Sequence, residues 1–177
     1  MKHVALLRGI NVGGNNKIEM PRLRAAVESL GYTDVRTYIN SGNVVFDAGA
    51  IPASEVTTRI EQAIAQEWGL PIKVLLRSAE QIAHLAATLP NDWRNDQDHK
   101  CDVLFLWDEA LRRDVRQELA PKEGIDELIF APGEIIWRVA RPDVTRSGLM
   151  MLVGTPLYAL MTVRNANTVR KVATMLG

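Results

Sequence analysis

The first apolar run, His3-Val4-Ala5-Leu6-Leu7, does not alternate with polar residues and stops at Arg8-Gly9, so it predicts a short strand buried on both faces. Turn-rich residues follow through Asn16. From Pro21 onward, Leu23, Ala26, Val27 and Leu30 recur at helical spacing, with the proline suited to the first turn and Gly31 placed as the C-cap. Val35–Ile39 and Asn43–Phe46 are rich in β-branched and aromatic residues, with Asn40-Ser41-Gly42 between them. They read as a hairpin, or as one long strand with a sharp kink. Ser54 is placed to cap a helix whose Val56, Ile60, Ile64 and Trp68 share a face and which ends at Gly69, and Pro71 opens a strand over Ile72–Leu76. This order over residues 1–77 is β-α-β-β-α-β, the split β-α-β of ferredoxin-like folds.

Ser78 is placed to cap a further helix carrying Ile82, Leu85 and Leu89. Pro90 stops it, and the polar stretch Asn91–Lys100 reads as a linker closing a connecting region over residues 78–100. A second module occupies residues 101–177. Cys101–Leu106 predicts a strand, Asp108 can cap a helix to Leu119, and Leu128–Phe130 pairs with Glu134–Val139 across Ala131-Pro132-Gly133. Residues Pro142 to Tyr158 mix Gly, Met and Leu without a clean period and predict no element. Val169, Val172, Ala173 and Leu176 then form one face of a closing helix, with Asn165 or Asn167 at its N-cap. The expected fold class is α+β: two tandem ferredoxin-like (split β-α-β) modules with antiparallel or mixed sheets.

Composition agrees with a folded chain. Its 177 residues, 47% hydrophobic and 24% charged, suffice for a core without a staple. The single Cys101 can form no internal disulfide, and Met1–Ile10 lacks the apolar length and cleavage site of a signal peptide. Gly148–Met161 is broken by Gly154, Thr155 and Pro156 and falls short of the ~20 residues that a membrane span needs. A soluble, cytoplasmic protein with no membrane partner is expected. Basic and acidic residues balance at 21 each, so no global field steers the chain towards nucleic acid. Residues 1–46 nonetheless carry six basic and three acidic groups, and residues 141–177 carry five and one, leaving the middle acidic. Basic ends that met would make a local anion-attracting patch; a solvated basic face explains the same bias.

The stretch Leu6-Leu7-Arg8-Gly9-Ile10-Asn11-Val12-Gly13-Gly14, together with Thr37-Tyr38-Ile39-Asn40-Ser41-Gly42-Asn43-Val44-Val45-Phe46, resembles the signature of a bacterial family, domain of unknown function 1697. The likeness extends to Thr162-Val163-Arg164-Asn165-Ala166-Asn167-Thr168-Val169, where Ala166 stands at a position that members usually fill with tryptophan. The resemblance implies a two-module α/β architecture and supplies no activity.

Gly9, Gly13 and Gly14 fall between the first strand and the first helix, where backbone N–H groups and a helix N-terminus can cradle an anion, with Arg8, Asn11, Asn15, Asn16 and Lys17 as side-chain donors. The spacing G-x-x-x-G-G is neither the dinucleotide fingerprint nor a P-loop. Turn chemistry alone also explains Gly and Asn clusters. Asn40, Ser41 and Asn43 would lie at one edge of the same sheet and could face a ligand, though a hairpin turn uses the same residue types. Arg164 and Asn165 stand at the entry to the last helix, where they can share an anion with the helix dipole or simply cap it.

Catalytic patterns are sparse. Cys101 opens an apolar strand, as a buried thiol does. His3, His84 and His99 show no metal-ligand spacing, Asp92, Asp96 and Asp98 lack the glycine and distal glutamate of a calcium loop, and Ser41 and Ser147 have no nucleophile-elbow context. The aromatic Lys/Arg-Gly-Phe pattern of an RNA-binding sheet is missing, which counts against nucleic acid. No cofactor is indicated. Two readings lead, ahead of weak single-stranded nucleic-acid binding: a protein that holds a small phosphate- or carboxylate-bearing ligand at the turn after the first strand, and a structural or interaction module in which that turn joins the modules or a homodimer.

Overall fold

The first strand, β1 (Lys2–Leu7), is buried from His3 onward because it has a neighbour on each side. The computed structural model describes residues Met1–Gly177 and divides them into two units: Met1–Ala83 with Val172–Gly177, and His84–Lys171. Each unit contains a four-stranded antiparallel sheet with helices, so the fold class is α+β.

In the first unit β1 is followed by α1 (Met20–Glu28), β2 (Thr33–Tyr38), β3 (Asn43–Asp47), α2 (Ala53–Trp68) and β4 (Val74–Ser78), with sheet order β2-β3-β1-β4. Tyr38 pairs with Asn43, which makes β2 and β3 a hairpin rather than one kinked strand. Ala5, Leu7, Val44, Phe46 and Val74 bury one sheet face against Leu23 and Val27 of α1 and Val56, Ile60 and Ile64 of α2. Removing each of these side chains larger than Ala5 from water stabilises the fold by roughly 1.5–3 kcal/mol.

Three expected boundaries move. The first helix ends at Glu28 with Ser29, not Gly31, at its C-cap, where the Ser29 N–H bonds the Ala25 carbonyl at 2.9 Å. The second helix starts at Ala53 with Pro52 at its N-cap and no side-chain cap, so Ser54 lies inside the first turn, where its carbonyl accepts from the Thr58 hydroxyl at 3.0 Å. The strand expected over Ile72–Leu76 begins instead at Val74, because the Ile72 N–H turns back to the Leu70 carbonyl at 3.0 Å. Ser78 does cap α3 (Ala79–Thr88). Its Oγ accepts from the Gln81 N–H and Gln81 Oε1 accepts from the Ser78 N–H, a reciprocal box.

The second unit holds β5 (His99–Leu106), α4 (Asp108–Leu111), α5 (Val115–Leu119), β6 (Glu127–Ala131), β7 (Glu134–Ala140), β8 (Met161–Asn165) and most of α6 (Ala166–Leu176), with sheet order β6-β7-β5-β8. The single helix expected from Asp108 to Leu119 is broken in two. Asp114 accepts the Gln117 N–H and caps a new helix, while Asp108 sits in the first turn of α4 behind Trp107. The stretch Asn91–Lys100, expected to link the modules, is tied down within this unit: Asn167 bonds the Asn95 backbone, and Arg170 donates to the carbonyls of Pro90 and Trp93.

Residues 142–158, where no period is legible, lie largely in tight 3₁₀ turns (Arg141–Arg146, Gly148–Leu152 and Tyr158–Leu160) that repeat every three residues. Asp126 anchors this crossover. Its carboxylate accepts from Trp137 Nε1 at 3.0 Å, from Ser147 Oγ, and from the N–H groups of Lys122 and Gly148 at 2.8 Å each. A β-carbon on Gly148 would stand 2.1 Å from the Ala120 carbonyl oxygen, so no other residue fits at that position. Burial raises the Asp126 carboxyl, but the four donors outweigh it and hold the group below its ordinary value.

Asp126→Ala is expected to lower unfolding stability by roughly 3 kcal/mol in urea titration, since it leaves several buried donors unpaired. Because the folded carboxyl titrates below the unfolded one, its contribution is present above about pH 4 and is lost as pH falls through the folded value. Urea midpoints for wild type and Asp126→Asn should therefore converge on acidification. Burial, and next the charge of Asp102, pushes the Cys101 thiol up to about 11. A thiol reagent at pH 8 should leave Cys101 unmodified in the native chain and label it fully in denaturant.

Candidate functional site

After β1 the chain sinks Ile10 into the core and makes a miniature hairpin on the surface. The Asn11 N–H donates to the Asn16 carbonyl at 3.1 Å and the Asn15 N–H to that of Val12 at 3.0 Å. Gly13 and Gly14, with φ of 58° and 80°, occupy the two corner positions of a type I′ turn, which only residues tolerant of positive φ can fill. The glycines are thus required by the turn itself.

The asparagines are engaged as well. Asn11 Nδ2 donates to the carbonyls of Ile18 and Asn40, and its Oδ1 accepts the Ile18 N–H, all at 2.9 Å. Asn16 Nδ2 donates to the Gly9 carbonyl at 2.9 Å. Asn43 is wholly buried and ties the β2–β3 loop, donating to the Tyr38 carbonyl at 2.9 Å and to Ser41 Oγ at 3.2 Å. Between these ties Ile39 is held at φ 49°, a left-handed backbone that costs a β-branched residue about 1–3 kcal/mol.

Joining the two loops leaves a hollow of about 400 Å³ lined by Asn11, Gly14, Lys17, Ile18, Glu19, Met20 and Asn40. Its floor includes the N-terminus of α1, which has no side-chain cap and no acidic residue in its first turn. Glu19 is drawn aside: its carboxylate accepts from Trp68 Nε1 at 3.2 Å and from Arg22 at 3.5 Å. Its own backbone N–H, and next Trp68, keep this carboxyl below its ordinary value.

Of the ten residues expected to bind, the hollow gathers Asn11, Gly14, Lys17 and Asn40. Gly13 and Ser41 lie in the same loops, and Asn43 opens β3, without lining it. Arg8 is half-buried, with its backbone N–H on the Lys73 carbonyl at 3.0 Å. Arg164 and Asn165 belong to the second unit. Arg164 is only 6% exposed and donates to Thr162 Oγ1 at 3.0 Å and the Val163 carbonyl at 2.8 Å; burial pulls its guanidinium down to about 10. Asn165 caps α6 by accepting the Thr168 N–H at 2.8 Å. Asp96, from the acidic cluster, folds its own turn by accepting the N–H groups of Asp98 and His99.

A second cavity, of about 260 Å³, opens in the second unit beside Trp137, Tyr158 and the ion pair of Lys100 with Asp102. Sequence reasoning passes over it. The one available signal is a Lys-x-Asp at the mouth of an apolar strand, which also describes an ordinary strand end.

No curated protein is a significant match to this chain. Among solved structures, the conserved bacterial protein SP0830 from Streptococcus pneumoniae is 29% identical, with a TM-score of 0.82 over 99% of this chain and 98% of that one. The likeness therefore runs through both units and includes Thr162–Val169. The family described as protein of unknown function (DUF1697) matches residues 1–137, which contain every residue lining the hollow. The chain belongs to that family of proteins of unknown function.

Proposed function

We propose that this chain binds a small anionic ligand, bearing phosphate or carboxylate, in the hollow between the Asn11–Met20 segment and Asn40. The observation that carries the reading is the conjunction of Lys17 with the uncapped start of α1 on one concave surface. An ammonium and unpaired helix N–H groups are what an oxyanion needs. The strained Ile39 supports it, since an unfavourable backbone that presents Asn40 to the hollow must be imposed by its surroundings. In the same reading the two units are tandem ferredoxin-like modules; the matching strand orders β2-β3-β1-β4 and β6-β7-β5-β8 speak for this. The rival reading, a turn that serves architecture alone, draws on the three hydrogen bonds of the Asn11 side chain.

Inorganic phosphate, succinate and a nucleoside monophosphate are the probes for a thermal-shift titration, because a ligand that binds only the folded chain raises its melting temperature. One of them should give a saturable rise. Lys17→Ala should weaken it about tenfold or more, the worth of a charge-assisted hydrogen bond, and Glu19→Gln should tighten it by removing a like charge. No shift with any probe, in a protein that Asn11→Ala unfolds, would leave the turn as architecture. Ile39→Gly is expected to raise stability by roughly 1 kcal/mol, through relief of backbone strain, while loosening Asn40 and weakening the ligand. Paired urea and binding titrations read both effects.

A further inference from the structure

The two units carry the same strand order but close it differently. In the first, the crossover from β3 to β4 is the 16-residue α2, whose Val56, Ile60 and Ile64 pack against the sheet. In the second, the equivalent crossover from β7 to β8 is made largely of 3₁₀ turns, whose Leu149, Leu152 and Leu157 pack into the core. Between the crossover and the sheet lies the cavity of about 260 Å³, with a floor of Leu104, Trp137, Met161 and Val163 from three neighbouring strands. Its rim is apolar and open to water: Met150 and Val153 are 41% and 64% exposed. A flexible methionine at such a mouth adapts to a guest.

One end of this apolar cavity is charged. Lys100 Nζ lies 2.8 Å from Asp102 Oδ2 and 5.7 Å from the centre of the Trp137 ring, and both charged residues line the cavity. Asp102 takes one of the three ammonium donors through one of its two oxygens, so both charges keep capacity for a guest. A guest with a lone carboxylate would meet Asp102 as a like charge, and one with a lone amine would meet Lys100 in the same way. A guest with both groups on one carbon satisfies both. The volume corresponds to about nine waters at ~30 Å³ each, the size of one small molecule. From the charge pair, the apolar walls and this size together, we infer that the second unit binds a free α-amino acid with a large apolar side chain. Its carboxylate pairs with Lys100, its ammonium with Asp102, and its side chain lies against Trp137 and the methionines. This site is separate from the hollow of the first unit and does not depend on it.

Calorimetric titration of the full chain with L-phenylalanine, L-leucine and L-methionine tests the inference, with 3-phenylpropionate and 2-phenylethylamine as analogues that keep one charge each. Saturable one-to-one binding of at least one amino acid is expected, with both analogues weaker than L-phenylalanine by about tenfold or more. Lys100→Gln, which keeps a donor for Asp102, should weaken the amino acid to a similar degree, and Val163→Phe should abolish binding by filling the floor. Lys17→Ala should leave it unchanged, which separates this site from the one proposed above. Lack of saturation by all three amino acids into the millimolar range would overturn the inference, as would analogues that bind as tightly as L-phenylalanine. The analogue series uses only the wild-type chain, so it decides the matter even if a variant fails to fold.

Discussion

Four donors converge on the carboxylate of Asp126, and the second unit depends on that convergence. Trp137 comes from the sheet, Lys122 from the loop before β6, and Ser147 and Gly148 from the crossover, so one side chain fixes three segments that share no regular hydrogen-bond ladder. A crossover built of 3₁₀ turns has weak internal bonding and needs such an external anchor. The ring that the carboxylate orients is also the floor of the apolar cavity. Stability and the shape of a binding surface therefore rest on the same bonds.

The first unit solves the same closure differently. Its crossover is an amphipathic helix that buries one face and ends in a left-handed glycine, Gly69, so propensity and burial suffice without a polar hub. Polar bonding concentrates instead at the β1–α1 and β2–β3 loops, where Asn11 stitches residues 29 apart. The first unit's hollow lies where those two loops meet, and the second unit's apolar recess lies beside its crossover of turns.

Local chemistry was legible in the sequence. Leu23 and Val27, Val56 with Ile60 and Ile64, the Ser78 cap, the β2–β3 hairpin and the Asn165 cap all depend on residues a few positions apart, and periodicity or capping rules reach that far. What stayed hidden depends on distance along the chain. Asn11 reads as a donor for a ligand until Ile18 and Asn40 are seen to take its hydrogens. Asp126 is one acid among 21 until Trp137 and Ser147 close on it. The break between α4 and α5 follows from Asp114 competing for backbone N–H groups, a choice that the helical period alone does not reveal. Of the site, the loops were legible and their meeting was not: Arg164, chosen for its place before a helix, is a buried strand residue.

The first unit includes Val172–Gly177, and its contacts with them are specific: Lys2 donates to the Leu176 carbonyl and Arg36 to that of Met175. Synthesis from the N-terminus would deliver β1 to β4 long before those six residues. While the ribosome makes the rest, this unit must wait in a nearly finished state, with the positions that α6 later occupies exposed to chaperones and to other nascent chains. The residues synthesised last thus complete the unit synthesised first.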